Sequence, residues 1–140
     1  MNTSEKGNTR ILGIDPGEKR IGLALSDPLA ITAQGLPTLE AGKGRGVLEK
    51  IAGLIRQKGV GKVVMGLPLN MDGSSGLQAG RARRLGEKIR EKTGLPVIYR
   101  DERLTSVQAE AVLLKADLSR RKRKRRIDRL AAQLILQNYL

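Results

Sequence analysis

The stretch ILGIDPGEKRIGLALSD, residues 11–27, decides the fold. Two apolar runs flank a charged turn, Pro16-Gly17-Glu18-Lys19, and the first run closes on an aspartate, Asp15. The runs read as strands over Arg10–Ile14 and Ile21–Ser26. RILGID hardly alternates, which is the pattern of a central strand buried on both faces. In RIGLALS, Ile21, Leu23 and Leu25 share one face, while glycine, alanine and serine share the other. A short third strand near Ala33–Thr38 would complete an antiparallel meander.

Working outward, Val47, Leu48, Ile51, Leu54 and Ile55 recur at helical spacing before a stop at Gly59. VGKVVMGLPL is a buried strand ending at Pro68, and a polar, glycine-rich loop follows it. Gln78–Lys92 reads as a second helix with Leu85 and Ile89 inward. LPVIYRDERL is a fifth strand that again ends in acids. Thr105 suits the N-cap of a third helix, SVQAEAVLL, and a last helix runs from about Arg123 to Leu140. Strands that alternate with helices lie parallel to the first through right-handed crossovers. The expected architecture is α/β: a mixed five-stranded sheet, order 3-2-1-4-5, with strand 2 antiparallel and helices on both faces. Residues 10–140 should form one domain behind a disordered tail, residues 1–9. Ligands in such sheets sit beyond the carboxyl ends of the strands. Asp15, the Pro68–Ser75 loop and Asp101-Glu102-Arg103 should therefore converge at one rim.

Composition narrows the chemistry. The 140 residues contain neither cysteine nor histidine, so thiolate nucleophiles, imidazole bases and conventional zinc sites are excluded. Carboxylates remain, and they favour hard cations such as Mg2+ or Mn2+. With 27 Lys and Arg against 14 acids the net charge is +13, which calls for a polyanionic partner, most simply nucleic acid. Two tyrosines are the only aromatic residues, so recognition should rest on backbone and shape rather than base stacking. The start has no apolar signal core and no run approaches membrane-spanning length, so a cytoplasmic location with no membrane partner is expected.

Three acids stand out, each with an ordinary alternative. Asp15 before Pro-Gly is also plain turn chemistry. Sugar kinases and actin-like ATPases place a similar aspartate after a first strand, but they need a second lobe for which 140 residues leave no room. Glu102 stands beside Arg103 and could make a surface salt bridge instead. Asp128 in RRIDRLAAQLILQNYL could merely favour a helix N-terminus. Its helix should bury Ile127, Leu130, Ala131 and Leu134, and the small Ala131 and Ala132 beside Asp128 would let that helix approach the sheet closely. Three clustered carboxylates repel unless a cation or proton neutralises them. Two metals about 4 Å apart could activate water and stabilise a phosphodiester leaving oxygen.

DPGEKRIGLALSD, GLPLNMDGSSG, DERLTS with the following AE, and IDRLAAQLILQNYL resemble the YqgF/RuvX family in order and spacing, over nearly all of the chain. Members go by two names, Holliday junction resolvase and pre-16S rRNA nuclease. The resemblance implies a ribonuclease H-like fold, metal-dependent hydrolysis of structured nucleic acid, and a role in maturing the 5′ end of small-subunit ribosomal RNA. Precursor rRNA is the favoured partner, with a DNA junction as the alternative and ribosomal particles as further partners. By this reading Asp15, Glu102 and Asp128 are the catalytic acids and hold Mg2+ or Mn2+. Gly17 allows phosphate or backbone to approach closely. Asn70, Asp72 and Ser74 sit in a loop placed to meet substrate, although a flexible connection explains them equally well. Arg103 and Arg20 could each bind phosphate or pair locally. Arg120, Arg121, Lys122, Arg123 and Lys124 open a run of seven basic residues suited to tracking phosphates, with a nonspecific tether as the alternative. Tyr99 and Tyr139 read as core-edge residues.

Overall fold

The computed structural model describes residues 10–41, 46–70, 72–101 and 120–140, and for residues 120–129 the backbone alone. The elements are β1 (Arg10–Pro16), β2 (Arg20–Ser26), β3 (Ala33–Glu40), α1 (Gly46–Lys58), β4 (Val60–Leu67), α2 (Leu77–Thr93), β5 (Val97–Asp101) and α3 (Arg120–Tyr139). The sheet order is β3-β2-β1-β4-β5. β2 is antiparallel to both β1 and β3, while β1, β4 and β5 are parallel. This is the expected topology. The helix expected after Thr105 lies outside the described residues.

Strand alternation divides the core in two. Leu12, Ile14, Leu23, Val63 and Met65 pack with Ile51, Ile55, Ala82 and Ile89 on the α1/α2 face. Ile11, Ala24 and Val64 pack with Ala132, Ile135 and Leu136 on the α3 face. β1 contributes to both, so its sequence hardly alternates. α2 stops where Gly94 takes φ 74° and returns its N–H to the Arg90 carbonyl at 2.8 Å. A left-handed residue there closes the helix without the Cβ clash that other residues would meet.

The α3 helix differs from expectation in two ways. It begins at Arg120 rather than about Arg123, so the basic run belongs to it. Its buried stripe is Ala131, Ala132, Ile135 and Leu136, while Leu130 and Leu134 are only half-buried. The stripe is thus turned by about one residue, because small residues on the sheet select which helix face can come close. A Cβ on Gly13 would lie 2.8 Å from Leu136 Cβ and 3.3 Å from the Ala132 carbonyl oxygen. Gly22 and Ala24 continue this low surface on β2, the neighbour of β1. Glycine inside a strand marks a close approach, and here the approaching element is α3.

The β2–β3 connection is organised by Asp27. Its carboxylate accepts from the N–H groups of Leu29, Ile31 and Thr32 at 3.0, 2.8 and 2.7 Å. On the α3 side, Gln137 accepts from the Ala33 N–H at 3.1 Å and Gln133 donates to its carbonyl at 2.9 Å. The Thr32 N–H, first among these donors, holds the Asp27 carboxyl below its ordinary value of 3.8, against an opposing push from lost hydration. A depressed folded-state value means that this contribution is complete above the unfolded value and is lost as pH falls through the folded one. Amide-exchange protection of Ile31 and Thr32 should therefore hold steady above about pH 5 and decline in acid. Asp27→Ala should remove it at every pH, with β1 protection unchanged.

Candidate active site

The three parallel strands end on one rim. In register, Ile14 lies beside Met65 and Met65 beside Tyr99, which sets Asp15, Gly66 and Arg100 in one row across β1, β4 and β5. Asp15 alternates with the buried Ile14, so it points to the α3 face and is half-buried there. Its neighbours on that face are Gly22 of β2 and Gly66 of β4, neither of which has a side chain. The carboxylate therefore stands over a floor of backbone.

The C-terminal helix runs antiparallel to β1. Tyr139 meets Lys62, which is level with Ile11, whereas Ala132 and Leu136 meet Gly13. One turn before Ala132 the helix rises about 6 Å to position 128. Gly13 to Asp15 is roughly 6.7 Å along the strand. Position 128 thus lies one turn before Ala132, towards the Asp15 end of the sheet rather than the Ile11 end. Continuing past this level, α3 carries Arg120, Arg121, Lys122, Arg123 and Lys124 beyond the rim. Successive residues turn by about 100°, so the basic run encircles the helix, and no acid lies in the first turn. Cations at the positive end of a helix dipole are unfavourable without an anionic partner.

Glu102 and Arg103 lie outside the described residues. Asp101 closes β5 in register with Leu67 and, with Arg100, Ile135, Asn138 and Tyr139, lines a cavity on the α3 side. Among the described residues no group of three His, Cys, Asp or Glu is assembled. The donor chemistry nevertheless fits a hard cation: the chain offers only oxygen ligands, and Asp15 is reachable on a side-chain-free floor.

The remaining expected residues fall as follows. A Cβ on Gly17 would collide with the Arg20 carbonyl, so the backbone that approaches Gly17 is that of its own turn. On the opposite face of this turn, Gly17, Glu18, Gln78 and Arg81 border a cleft of about 460 Å³. Arg20 opens β2 in register with Glu40 of β3. The β4–α2 loop is a closed turn. The Asn70 amide donates to Ser74 Oγ at 3.0 Å, and the Ser74 N–H and hydroxyl donate to Asp72 at 2.9 and 2.6 Å. Gly73 allows this closure at φ 88°. Asn70, Asp72 and Ser74 are thus joined to one another by hydrogen bonds after the end of β4.

A residue not singled out by the sequence is Arg100, on the Asp15 face, with its guanidinium carbon 5.1 Å from the Tyr139 ring centre. Period-two alternation from Glu102 would have placed it there. Tyr139 is consequently more than a core-edge residue.

A family model described as "RuvX: Holliday junction resolvase" matches residues 9–140. The chain belongs to the RuvX family. A relative from Streptococcus sanguinis is 52% identical over 134 residues, 94% of this chain and 96% of the relative. Another, from Pelotomaculum thermopropionicum, is 50% identical over 94% of this chain and 86% of its own. Both carry the name "Putative pre-16S rRNA nuclease". Among solved structures, Thermus thermophilus RuvC in complex with a Holliday junction superposes with a TM-score of 0.55 at 17% identity, covering 91% of this chain and 92% of that one. Fowlpox virus resolvase, bound to Holliday junction DNA, gives 0.55 at 13% identity over 93% and 95%. At such identities the likeness is one of fold, and RuvX chains share the architecture of these resolvases.

Proposed function

We propose that this RuvX protein is a Mg2+- or Mn2+-dependent endonuclease that hydrolyses phosphodiester bonds in structured nucleic acid. Its favoured role is 5′-end maturation of pre-16S ribosomal RNA, on free precursor or on ribosomal particles, in the cytoplasm. The observation that carries the reading is Asp15 at the carboxyl end of the central strand, on the face that α3 covers. Family membership and the names of the relatives support the same chemistry. So does the charge of +13.

Asp15, Glu102 and Asp128 are the residues that would hold the metal. A divalent cation bound there supplies acidification of a water and compensation of charge on phosphate oxygens. The protein positions the phosphate. Arg103 and Arg20 grip it through their forked donors, the Asn70–Ser74 turn borders the rim, and Arg120–Lys124 follow the flanking backbone. Gly17 keeps the β1–β2 turn tight, so Asp15 is held at the end of a rigid strand.

A second reading, resolution of four-way DNA junctions, is favoured by the fold shared with junction-bound resolvases. It requires two symmetric cuts and hence a dimer. The test is incubation of the purified protein with a 5′-extended 16S precursor and with a four-way DNA junction, with Mn2+ or with chelator. Metal-dependent trimming of the precursor is expected. Paired symmetric cuts in the junction by a dimer would favour resolution instead. Tight binding without cleavage of either substrate would leave a non-catalytic RNA- or ribosome-binding factor.

A further inference from the structure

We propose that Lys62, Arg100 and Tyr139 form a phosphate-binding flank beside the carboxylate rim, one that grips the strand backbone a few nucleotides from the scissile bond. This deepens the nuclease reading and rests on it. Lys62 Nζ donates to the Tyr139 hydroxyl at 3.0 Å, and the Arg100 guanidinium carbon lies 5.1 Å from the ring centre. Lys62 Nζ is 5.4 Å from that centre, so its contact is chiefly the hydrogen bond to the hydroxyl.

Two cations thus gather on one phenol. Among the described residues no carboxylate pairs with either: the ion pairs there join Arg81 to Glu18, Arg90 to Glu87 and Lys92 to Glu49. Like charges gathered on one ring repel, and an anion shared between them removes the repulsion. Arg100 keeps its guanidinium donors for a phosphate, and the Tyr139 hydroxyl can still donate while it accepts from Lys62. A cavity of about 260 Å³ opens beside them, lined by Arg100, Asp101, Ile135, Asn138 and Tyr139.

Position selects the ligand. The Arg100 backbone shares a row with Gly66 and Asp15, two strand spacings or roughly 10 Å across the sheet from the acid, and its guanidinium reaches back to Tyr139, towards the level of Lys62. A strand that leaves the rim across β4 and β5 therefore meets these cations a few nucleotides from the scissile bond. A tyrosine serving only as a clip for the end of α3 would need no cations, because Ile135, Leu136 and Gln137 already hold that end.

The test is equilibrium binding of the full chain to a 16S precursor fragment and to a four-way DNA junction, in chelator, across a salt series. For the Lys62→Gln/Arg100→Gln double variant the slope of log K against log salt should flatten by about 1.5–2 units, with affinity near 0.1 M salt about tenfold weaker. Arg100→Lys should keep most of the slope, and Lys88→Gln on α2 serves as the charge control. Arg100 is exposed, so Arg100→Gln carries the test alone, with a change near one unit, should Lys62→Gln disturb folding. A lowered melting temperature with an unchanged slope would make the trio a structural clip and overturn the proposal. So would a loss no larger than that of Lys88→Gln. Wild type that cleaves while these variants bind normally would overturn only this inference. Wild type that binds neither nucleic acid would overturn the nuclease reading with it.

Discussion

Asp15→Asn should lower turnover on structured nucleic acid by 10²–10³-fold or more, while affinity in chelator stays within about threefold. The size follows from removing a charge that acts on the developing charge of the reaction, where a single group is worth about that much. Binding is spared because it rests on Lys and Arg meeting phosphate. The substitution is nearly isosteric, and β1 is paired on both sides, so folding should survive it. Glu91→Gln, in the last turn of α2, is the charge control. It removes an exposed acid away from the rim, and it should leave turnover within about threefold of wild type. Equal losses for the two would mean that net charge, not a ligand at Asp15, governs the rate.

Gly13→Ala should have the largest effect among substitutions remote from the chemistry. The added Cβ would meet Leu136 Cβ at 2.8 Å and the Ala132 carbonyl oxygen at 3.3 Å. Neither atom can swing aside, since one is helix backbone and the other is fixed to it. Overpacking of this kind costs about 1–3 kcal/mol, or a melting temperature lower by roughly 3–12 °C. Turnover should fall further than the folded fraction does. α3 must move off β1, and a displacement near 1 Å between catalytic groups can cost about 10²-fold. Gly13→Val should do more of both. A Gly13→Ala protein that melts and cleaves like wild type would show that the approach of α3 does not set the site.

Much of this was legible in residues 11–27. The non-alternating first run marks a central strand, and the Ile21/Leu23/Leu25 set against Gly22/Ala24/Ser26 marks two faces of different depth, as found. Strand order follows from chain order because parallel crossovers are right-handed. The phase of α3 was not legible. Counting apolar residues favours Ile127, Leu130, Ala131 and Leu134; Ala131 is buried as expected, but with Ala132, Ile135 and Leu136 rather than with Leu130 and Leu134, because Gly13 and Ala24 let that face of the helix come close. That preference belongs to the pair of elements, not to either alone. Gly13 itself carried the signal, as a glycine inside a buried strand. In the β4–α2 loop, polar and glycine-rich composition does not reveal that Asn70, Asp72 and Ser74 bond to one another. Arg100 carries no signal of its own in the sequence, because an exposed arginine near a strand end reads as an ordinary solvated charge.

The central claim, that Asp15 helps hold a divalent cation, is tested most directly without any substrate, by melting wild type and Asp15→Asn in chelator and in Mn2+. Three carboxylates at one rim should repel by about 1 kcal/mol after screening. In chelator the Asn variant should then melt a few degrees higher than wild type. Mn2+ at a hundred times its dissociation constant should stabilise wild type by about 2.7 kcal/mol and the variant far less, so the order of melting temperatures narrows or reverses. A variant that melts below wild type in chelator and responds equally to Mn2+ would make Asp15 a turn residue and contradict the account.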